Sequence, residues 1–392
     1  MPGALAGLTV LDVTNHLSGP YCAMLLGDHG ADVIKIERPG TGDDARKMPP
    51  FVGGEGAPFM VWNRNKRSVA LDLKSPEGKE AMLRLVDRAD ILIENNRPGA
   101  MDRLGLGWEA LHRRNPRLIL GSISGFGQTG PYRERGGFDL VSQGMSGLMS
   151  VCGPADGPPH RLPIAISDVA AGMHLAIGVL AAVEARHRTG RGQHVETSLL
   201  ESALSLEVYE AAHVFATGGR PDRLGQAHRG SSPYQAFQTA DGWITVGAGQ
   251  QNFWERLTEI LGAPELARDA RFLTNADRVR NNDVLVEVLQ AYLSTRPSQH
   301  WLDAMDAAGI PCGPILHCDE VLADPHILAR EMVVETDHPT AGRFRTLGVP
   351  VKMSETPGSV YRPAPRLGEH TAEILAAVGM ADPAEGAKTR RA

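Results

Sequence analysis

The first half of the chain alternates short apolar runs with longer segments whose apolar residues recur at helical spacing. "LTVLDVT" (8–14) reads as a buried strand. Ser18, Gly19 and Pro20 then predict a helix start, with Ser18 as cap and Pro20 in the first turn. Met24, Leu25 and Leu26 continue that helix, "DHG" (28–30) stops it, and "ADVIKIE" (31–37) is the next strand. This is a βαβ unit, which implies parallel strands joined by a right-handed crossover. The alternation continues with strand "SVALDL" (68–73), helix "SPEGKEAMLRLVDRA" (75–89) capped by Ser75, and strand "DILIEN" (90–95). Amphipathic "WEALHRRN" (108–115) leads to strand "PRLILGSIS" (116–124). A long apolar helix starting near Asp168, strand "QHVETSL" (193–199) and helix "LESALSLEVYEAAHVF" (200–215) complete the run. The pattern predicts an α/β fold, with a large Rossmann-like, doubly wound domain over 1–210.

The pattern changes at the Gly- and Pro-rich stretch "TGGRPDRLGQAHRGSSP" (217–233), and 211–224 reads as a linker. "YQAFQTADGWITVGAG" (234–249) predicts a hairpin turned at Asp241 and Gly242. Three helical segments follow, at 252–262, 281–294 and 298–309, so 225–330 is expected to be a smaller hairpin-and-helix domain. Strand-like "MVVETDH" (332–338) and "FRTLGVPVKM" (344–353) precede a last helix, "EHTAEILAAVG" (369–379). Residues 331–392 are therefore expected to return to the first domain.

Composition adds limits. With 392 residues, 42% hydrophobic and 22% charged, the chain has the make-up of a soluble globular protein of two domains. A net charge of −6 gives no whole-chain attraction to nucleic acid or to an anionic membrane, and neither partner is expected. "MPGALAGLTVLDVT" pairs no basic region with a long apolar run, so no secretory leader is expected and a cytoplasmic location is. Gly172, His174, Gly178 and Glu184 interrupt the apolar run after Asp168, which predicts a buried helix rather than a membrane span. Cys22, Cys152, Cys312 and Cys318 include no Cys-x-x-Cys pair and are expected as reduced, mostly buried thiols. The fourteen histidines include no His-Glu-x-x-His run, "HCDE" (317–320) is suggestive by composition alone, and no metal is expected.

Candidate chemistry gathers at strand ends. Arg38, Lys74, Asn95, Asn96 and Arg97 each follow a predicted strand, Arg103 lies a turn further on, and "RNKR" (64–67) precedes one. Basic and amide side chains at neighbouring strand ends suit a polyanion with separated phosphates; the alternative is solvated surface charge. No G-x-G-x-x-G follows the first strand and no G-x-x-x-x-G-K-[ST] occurs, which argues against a dinucleotide site or a P-loop. Nor is there a G-x-S-x-G elbow. "VGAGQQ" (246–251) is a hairpin end or a lid over a site. Asp168 is the only formally charged side chain between Arg161 and Glu184. It is a helix N-cap, or a reactive carboxylate held out of water, and the two are compatible.

Together the motifs resemble the class III CoA-transferases, the formyl-CoA transferase and carnitine CoA-transferase group, which also holds the α-methylacyl-CoA racemases. The carriers are "LDVTNHLSGPYCAMLLGDHGADVIKIERPGTGDDAR", "NRNKRSVALDLKSPEG", "ADILIENNRPGAMDRLGLGWEAL", "SISGFGQTGPY", "ISDVAAGMHLAIGVLAA", "RTGRGQHVETSLLES" and "RLGEHT". The resemblance implies that Asp168 is the nucleophile, passing through an aspartyl anhydride and an aspartyl-CoA thioester. It implies CoA contacts at Leu17, Ser18, Arg38, Leu71, Asp72, Leu73, Lys74, Asn95, Asn96, Arg97 and Arg103. Many relatives have Phe where this chain has Asn96. The family's Gly-rich loop corresponds to Gly247, Ala248, Gly249 and Gln250, a less Gly-rich version, and Asp139 matches a second acidic position. Related racemases carry His where this chain has Phe138, and Phe cannot move an α-proton, so transferase is favoured over racemase. The presence of Asp168 argues against a non-catalytic acyl-CoA-binding protein. "AHRGSSPYQAFQTADGWITVGAG" resembles members that move CoA between dicarboxylic acids, such as succinyl-CoA to glutarate. His228, Arg229, Ser231 and Ser232 are then candidates for binding a second carboxylate, or a plain interdomain loop. The resemblance also implies an interlocked homodimer, acyl-CoA and small carboxylic acids as substrates, and no permanently bound cofactor.

Overall fold

A computed structural model describes residues 3–381. Residues 1, 2 and 382–392 of the expected 1–210 and 331–392 segments lie outside the described residues. The chain divides into two compact units. One comprises Met1–Leu148, Leu162–Ala212 and Pro325–Ala392; the other comprises Met149–Arg161 and His213–Asp324. The expected boundaries shift accordingly. Residues 149–161 and most of the predicted linker belong to the second unit, and 325–330 belong to the first.

The first unit is built on six parallel strands: β1 (Thr9–Asp12), β2 (Asp32–Glu37), β3 (Lys66–Ala70), β4 (Ile91–Glu94), β5 (Ile119–Ser124) and β6 (His194–Ser198). Their spatial order is 3-2-1-4-5-6. β4 and β5 are buried at every position, as expected of strands covered on both faces. One face packs Leu11, Ile34, Leu92 and Leu120 against α2 (Pro76–Val86) and the helix Thr371–Ala377. The other packs Val10, Val33, Ile91 and Ile119 against α1 (Ser18–Asp28) and the 24-residue α4 (Ile166–Thr189). A short α3 (Asp139–Ser146) lies between β5 and α4 in the chain. Past residue 331 the chain docks on the β3 edge: Asn65 N–H donates to Arg362 O at 3.0 Å, and His370 N–H to Ser68 O at 2.9 Å.

Local details depart from the sequence reading. Ser75 does cap α2, accepting from Gly78 N–H at 3.0 Å. Ser18 does not cap α1; Leu17 stands at that position and Ser18 is the first helical residue. The predicted 200–215 helix is two, Leu199–Leu204 and Val208–Thr217, the first capped by Ser198. The helix at Asp168 is buried on one face only: Ala171, Leu175 and Val179 pack inward while Met173, Ile177 and Leu180 are exposed. The thiols are less buried than expected, with Cys22 buried, Cys152 and Cys312 half-buried and Cys318 exposed; none is paired.

The second unit packs the hairpin Tyr234–Gln238 and Trp243–Gly247, plus a third strand Cys312–Pro314, against helices around Phe237, Trp254, Phe272 and Trp301. The hairpin turns at the predicted place, with Thr239 N–H donating to Gly242 O at 2.9 Å.

Candidate active site

In a 3-2-1-4-5-6 sheet the connections from β1 and β4 leave to opposite sides, and a crevice opens beyond their carboxyl ends. Two cavities lie there. One, of about 450 Å³, is lined by Leu17, Ser18, Asn95, Asn96, Arg97, Asp139 and Asp168, together with His16 and Phe138. The other, of about 740 Å³, is lined by Arg38, Leu71, Asp72, Leu73 and Lys74, and again by Asn96. Asn96 thus stands on both walls. All the expected CoA-binding residues line this pair of cavities except Arg103, which is exposed on the short helix Ala100–Arg103.

Hydrogen bonds fix the crevice mouth. Asn95, just past β4, accepts from Asn15 N–H at 2.9 Å and donates to Asn15 O at 2.7 Å, tying the ends of β1 and β4 together. Asn96 donates its backbone N–H and its amide to Glu94 at 2.8 and 3.2 Å. Burial holds the Glu94 carboxyl above its usual range. Arg38 pairs with Asp44 at 3.0 Å, so its guanidinium is anchored at the mouth of the larger cavity.

Asp168 is not the cap of α4. Ala165 occupies that position and has no side-chain acceptor; Asp168 is the third helical residue. The cap comes from elsewhere in the sequence. Asp139, at the start of α3, accepts from Ser167 N–H at 3.0 Å and from Gln143 Nε2 at 2.8 Å. Two carboxylates therefore share one helix N-terminus, where the helix dipole favours negative charge. Burial, and then the neighbouring Asp139 charge, push the Asp168 carboxyl up to about 6; the Ser18 hydroxyl and amide and the His16 ring pull the other way. A carboxylate that is ionised at neutral pH yet poorly hydrated is suited to nucleophilic attack.

Two close approaches make this possible. A Cβ on Gly172 of α4 would lie 2.8 Å from Ser18 O, so glycine lets α1 bring Ser18 against Asp168. A Cβ on Gly137 would lie within 2.4 Å of Gly125 Cα, so the β5 end and the strand of chain entering α3 touch backbone to backbone. That contact delivers Phe138 and Asp139 to the cavity.

Beneath the crevice is a buried ionic cluster. Lys66 Nζ lies 2.8 Å from Asp12, and Lys35 Nζ lies 2.8 Å from Asp43 and donates to Thr14 O at 3.0 Å. Burial alone would raise Asp12, but Lys35 and Lys66 outweigh it and hold it at about 2. Burial brings Lys66 down to about 8. The "RNKR" residues are accordingly structural rather than ligand-facing. Arg64 pairs with buried Asp28 at 2.7 Å, Lys66 with Asp12, and Arg67 with Asp32 at 2.5 Å.

The remaining candidates belong to the second unit. Gly247 ends its hairpin strand, Ala248 is fully buried, Gly249 O accepts from Arg278 at 2.8 Å, and Gln250 precedes the helix Gln251–Ile260. His228 and Gly247 line a cavity of about 640 Å³ there. Arg229 donates to Asp222 O at 2.9 Å, and Ser231 Oγ lies against Gly249. Buried Ser232 donates its hydroxyl to Asn282 at 2.7 Å, so that group is engaged in the fold. Among the described residues no cluster of three or more His, Cys, Asp or Glu is placed to hold a metal. Sequence reasoning passed over His16, Trp62 and Arg135, which also line the smaller cavity; the only local signal was their proximity to quoted motifs.

The model of "CoA-transferase family III" matches residues 5–371. A mouse (Mus musculus) protein named succinyl-CoA:glutarate CoA-transferase is 40% identical over 95% of this chain and 85% of its own length. The acetyl-CoA:oxalate CoA-transferase of Acetobacter aceti is 41% identical over 95% of both chains. The crystal structure of a CAIB/BAIF family protein from Brucella suis superposes with a TM-score of 0.87 at 37% identity, covering 96% of this chain and 100% of that one. With the match running through both units and the crevice, the chain belongs to CoA-transferase family III and is a CoA-transferase.

Proposed function

We propose that this enzyme moves CoA from a dicarboxylyl-CoA such as succinyl-CoA to a second dicarboxylic acid, with Asp168 as the covalent nucleophile. The observation that carries the reading is Asp168 itself: a poorly hydrated carboxylate on the wall of one cavity, joined through Asn96 to a second cavity edged by Arg38 and Lys74. CoA would lay its nucleotide in the larger cavity and its thioester in the smaller one. Asp168 attacks the acyl carbon and expels CoA thiolate, giving a mixed anhydride. The thiolate attacks the Asp168 carbonyl carbon, releasing the first acid and leaving aspartyl-CoA. The incoming acid reverses these steps. Splitting one acyl transfer this way lowers each barrier, and a dry pocket keeps water from the anhydride.

Two relatives named for glutarate and oxalate support a dicarboxylic acceptor. His228, Arg229 and Ser231 of the second unit are assigned to carboxylate binding, whereas the Ser232 hydroxyl is already engaged by Asn282. Exposed Met173, Ile177 and Leu180, four and three residues apart on α4, form one apolar stripe that a second copy of the chain would cover in a homodimer. Mass spectrometry of the enzyme mixed with succinyl-CoA tests the nucleophile: a CoA adduct on the peptide holding Asp168 is expected. Its absence, together with full activity in Asp168→Ala, would sink the covalent route. A panel of succinyl-CoA and acetyl-CoA donors against mono- and dicarboxylic acids tests the substrates, and a preference for monocarboxylates refutes the acceptor class. Fast solvent-deuterium uptake at the α-carbon of a 2-methylacyl-CoA would instead favour a racemase.

A further inference from the structure

His16 has φ of +65°, in the left-handed region that is unfavourable for a residue with a Cβ. Its backbone is clamped from both sides. His16 N–H donates to Asp43 at 3.1 Å, and the Trp62 indole N–H donates to His16 O at 2.7 Å. Asp43 is held by fully buried Lys35, which also grips Thr14 O, two residues before His16. The buried ionic cluster thus maintains an unfavourable conformation at one residue. The result is an imidazole on the wall of the Asp168 cavity, edge-on to Phe138 with ring centroids 6.5 Å apart. Its neighbour Asn15 lines the larger cavity. His16 therefore stands on the side of the Asp168 cavity next to the larger one, with its Nε2 4.0 Å from the Asp44 carboxylate.

Arg97 and Arg135 also line the small cavity, so it is the position of the His16 ring, rather than net charge, that sets it apart. Asp168 and Asp139 line the same cavity, and transfer adds a carboxylate and a thiolate. Anions developing in a partly dehydrated pocket are stabilised by fixed N–H donors. The ring acts on Asp168 in this sense, lowering its pKa against burial and Asp139.

We propose that His16 is a catalytic residue whose ring N–H holds the CoA sulfur as thiolate while Asp168 carries the acyl group. The proposal rests on Asp168 being the nucleophile. In the first step an Asp168 oxygen bonds to the thioester carbon, the C–S bond breaks, and sulfur leaves with the electron pair. His16 donates a hydrogen bond to that sulfur and keeps its proton. In the second step the sulfur bonds to the Asp168 carbonyl carbon, and the acyl carboxylate departs with the electrons of the broken C–O bond. No proton is gained or lost by the imidazole.

The test uses His16→Gly, because glycine accepts the left-handed backbone without strain and leaves a slot of imidazole size. Rapid quench and mass spectrometry would follow formation of the Asp168–CoA adduct from succinyl-CoA in one turnover. Adduct formation should slow by about 10- to 100-fold, less than the ~10²–10³ of a fully buried donor because the His16 side chain is 55% exposed. CoA affinity should be unchanged, and added imidazole should restore much of the rate. An adduct formed at the wild-type rate overturns the proposal, as does a loss that imidazole leaves untouched in a folded variant with normal CoA affinity. If His16→Gly fails to fold, His16→Asn, which tolerates the same backbone, serves instead: kcat should fall with KM for succinyl-CoA unchanged, and an unaltered kcat refutes the role. No adduct in the wild-type enzyme is a separate failure, that of the Asp168 reading, and it removes the sulfur step with it.

Discussion

Replacing Asp168 by Asn should abolish transfer and yet stabilise the protein. The carboxyl is moved from 3.8 to about 6, first by burial and second by the Asp139 charge. A folded-state pKa raised above the unfolded value means that the fold prefers the protonated acid. That preference is complete below about pH 4 and is lost as pH rises through about 6. Above pH 7 the ionised group therefore costs the fold up to about 3 kcal/mol, and about 1–2 once partial contact with solvent is allowed for. Asn has nearly the same shape and no charge, so it removes the penalty. Denaturant unfolding of the two proteins at one concentration, from pH 4 to pH 8, would measure the difference. Asp168→Asn should be the more stable by about 1–2 kcal/mol at pH 8, with the gain fading toward pH 4. The acid limb of wild-type kcat should fall near pH 6 rather than near 4. Equal stability at pH 8, or a gain that persists unchanged at pH 4, would refute the electrostatic account of this site.

Four other substitutions test the scaffold and the nucleotide site. Gly172→Ala places a methyl group 2.8 Å from Ser18 O and 3.0 Å from the Tyr21 ring; it should cost about 1–3 kcal/mol and lower kcat by moving Ser18, and an unchanged melting temperature would contradict this. Asp12→Asn leaves the buried Lys66 ammonium without a carboxylate, while Lys35 keeps Asp43, and should destabilise by about 3–5 kcal/mol at pH 7. Because burial holds Lys66 at about 8, that loss should shrink as pH rises toward about 9, where the folded protein no longer carries the Lys66 charge; a pH-independent loss would count against the pairing. Arg38→Ala and Lys74→Ala should each raise KM for succinyl-CoA by about tenfold at low salt, with kcat unchanged. The same variants should leave a succinyl-pantetheine thioester unaffected, and an equal loss on that truncated substrate would place these residues elsewhere than the nucleotide.

Much of the crevice was legible along the chain because its parts sit at fixed places in a repeating unit. Each strand of a βαβ array ends on the same edge, so Arg38, Leu71–Lys74 and Asn95–Arg97 were marked by the apolar runs before them. Arg103 fails this logic: it lies one helix beyond the strand end and faces solvent. The charges of "RNKR" were misjudged for a related reason. A cation beside a strand looks the same in sequence whether it meets a ligand or an internal carboxylate, and here Asp12, Asp28 and Asp32, all distant in the chain, claim them.

The sequence by itself determined the alternation of strands and helices, the parallel sheet, the sheet edge at which the two cavities open, and the carboxylate set in an apolar helix start. These follow from periodicity and chain connectivity, which are local. Only the tertiary structure decided what Asp168 is to its surroundings. The cap it was expected to provide comes from Asp139, 29 residues earlier; Ser18 reaches it because Gly172 lets two helices touch. His16 is turned into the same cavity by a lysine buried under the sheet edge. Burial, like-charge proximity and backbone strain are properties of groups brought together by folding, and no spacing along the chain encodes them.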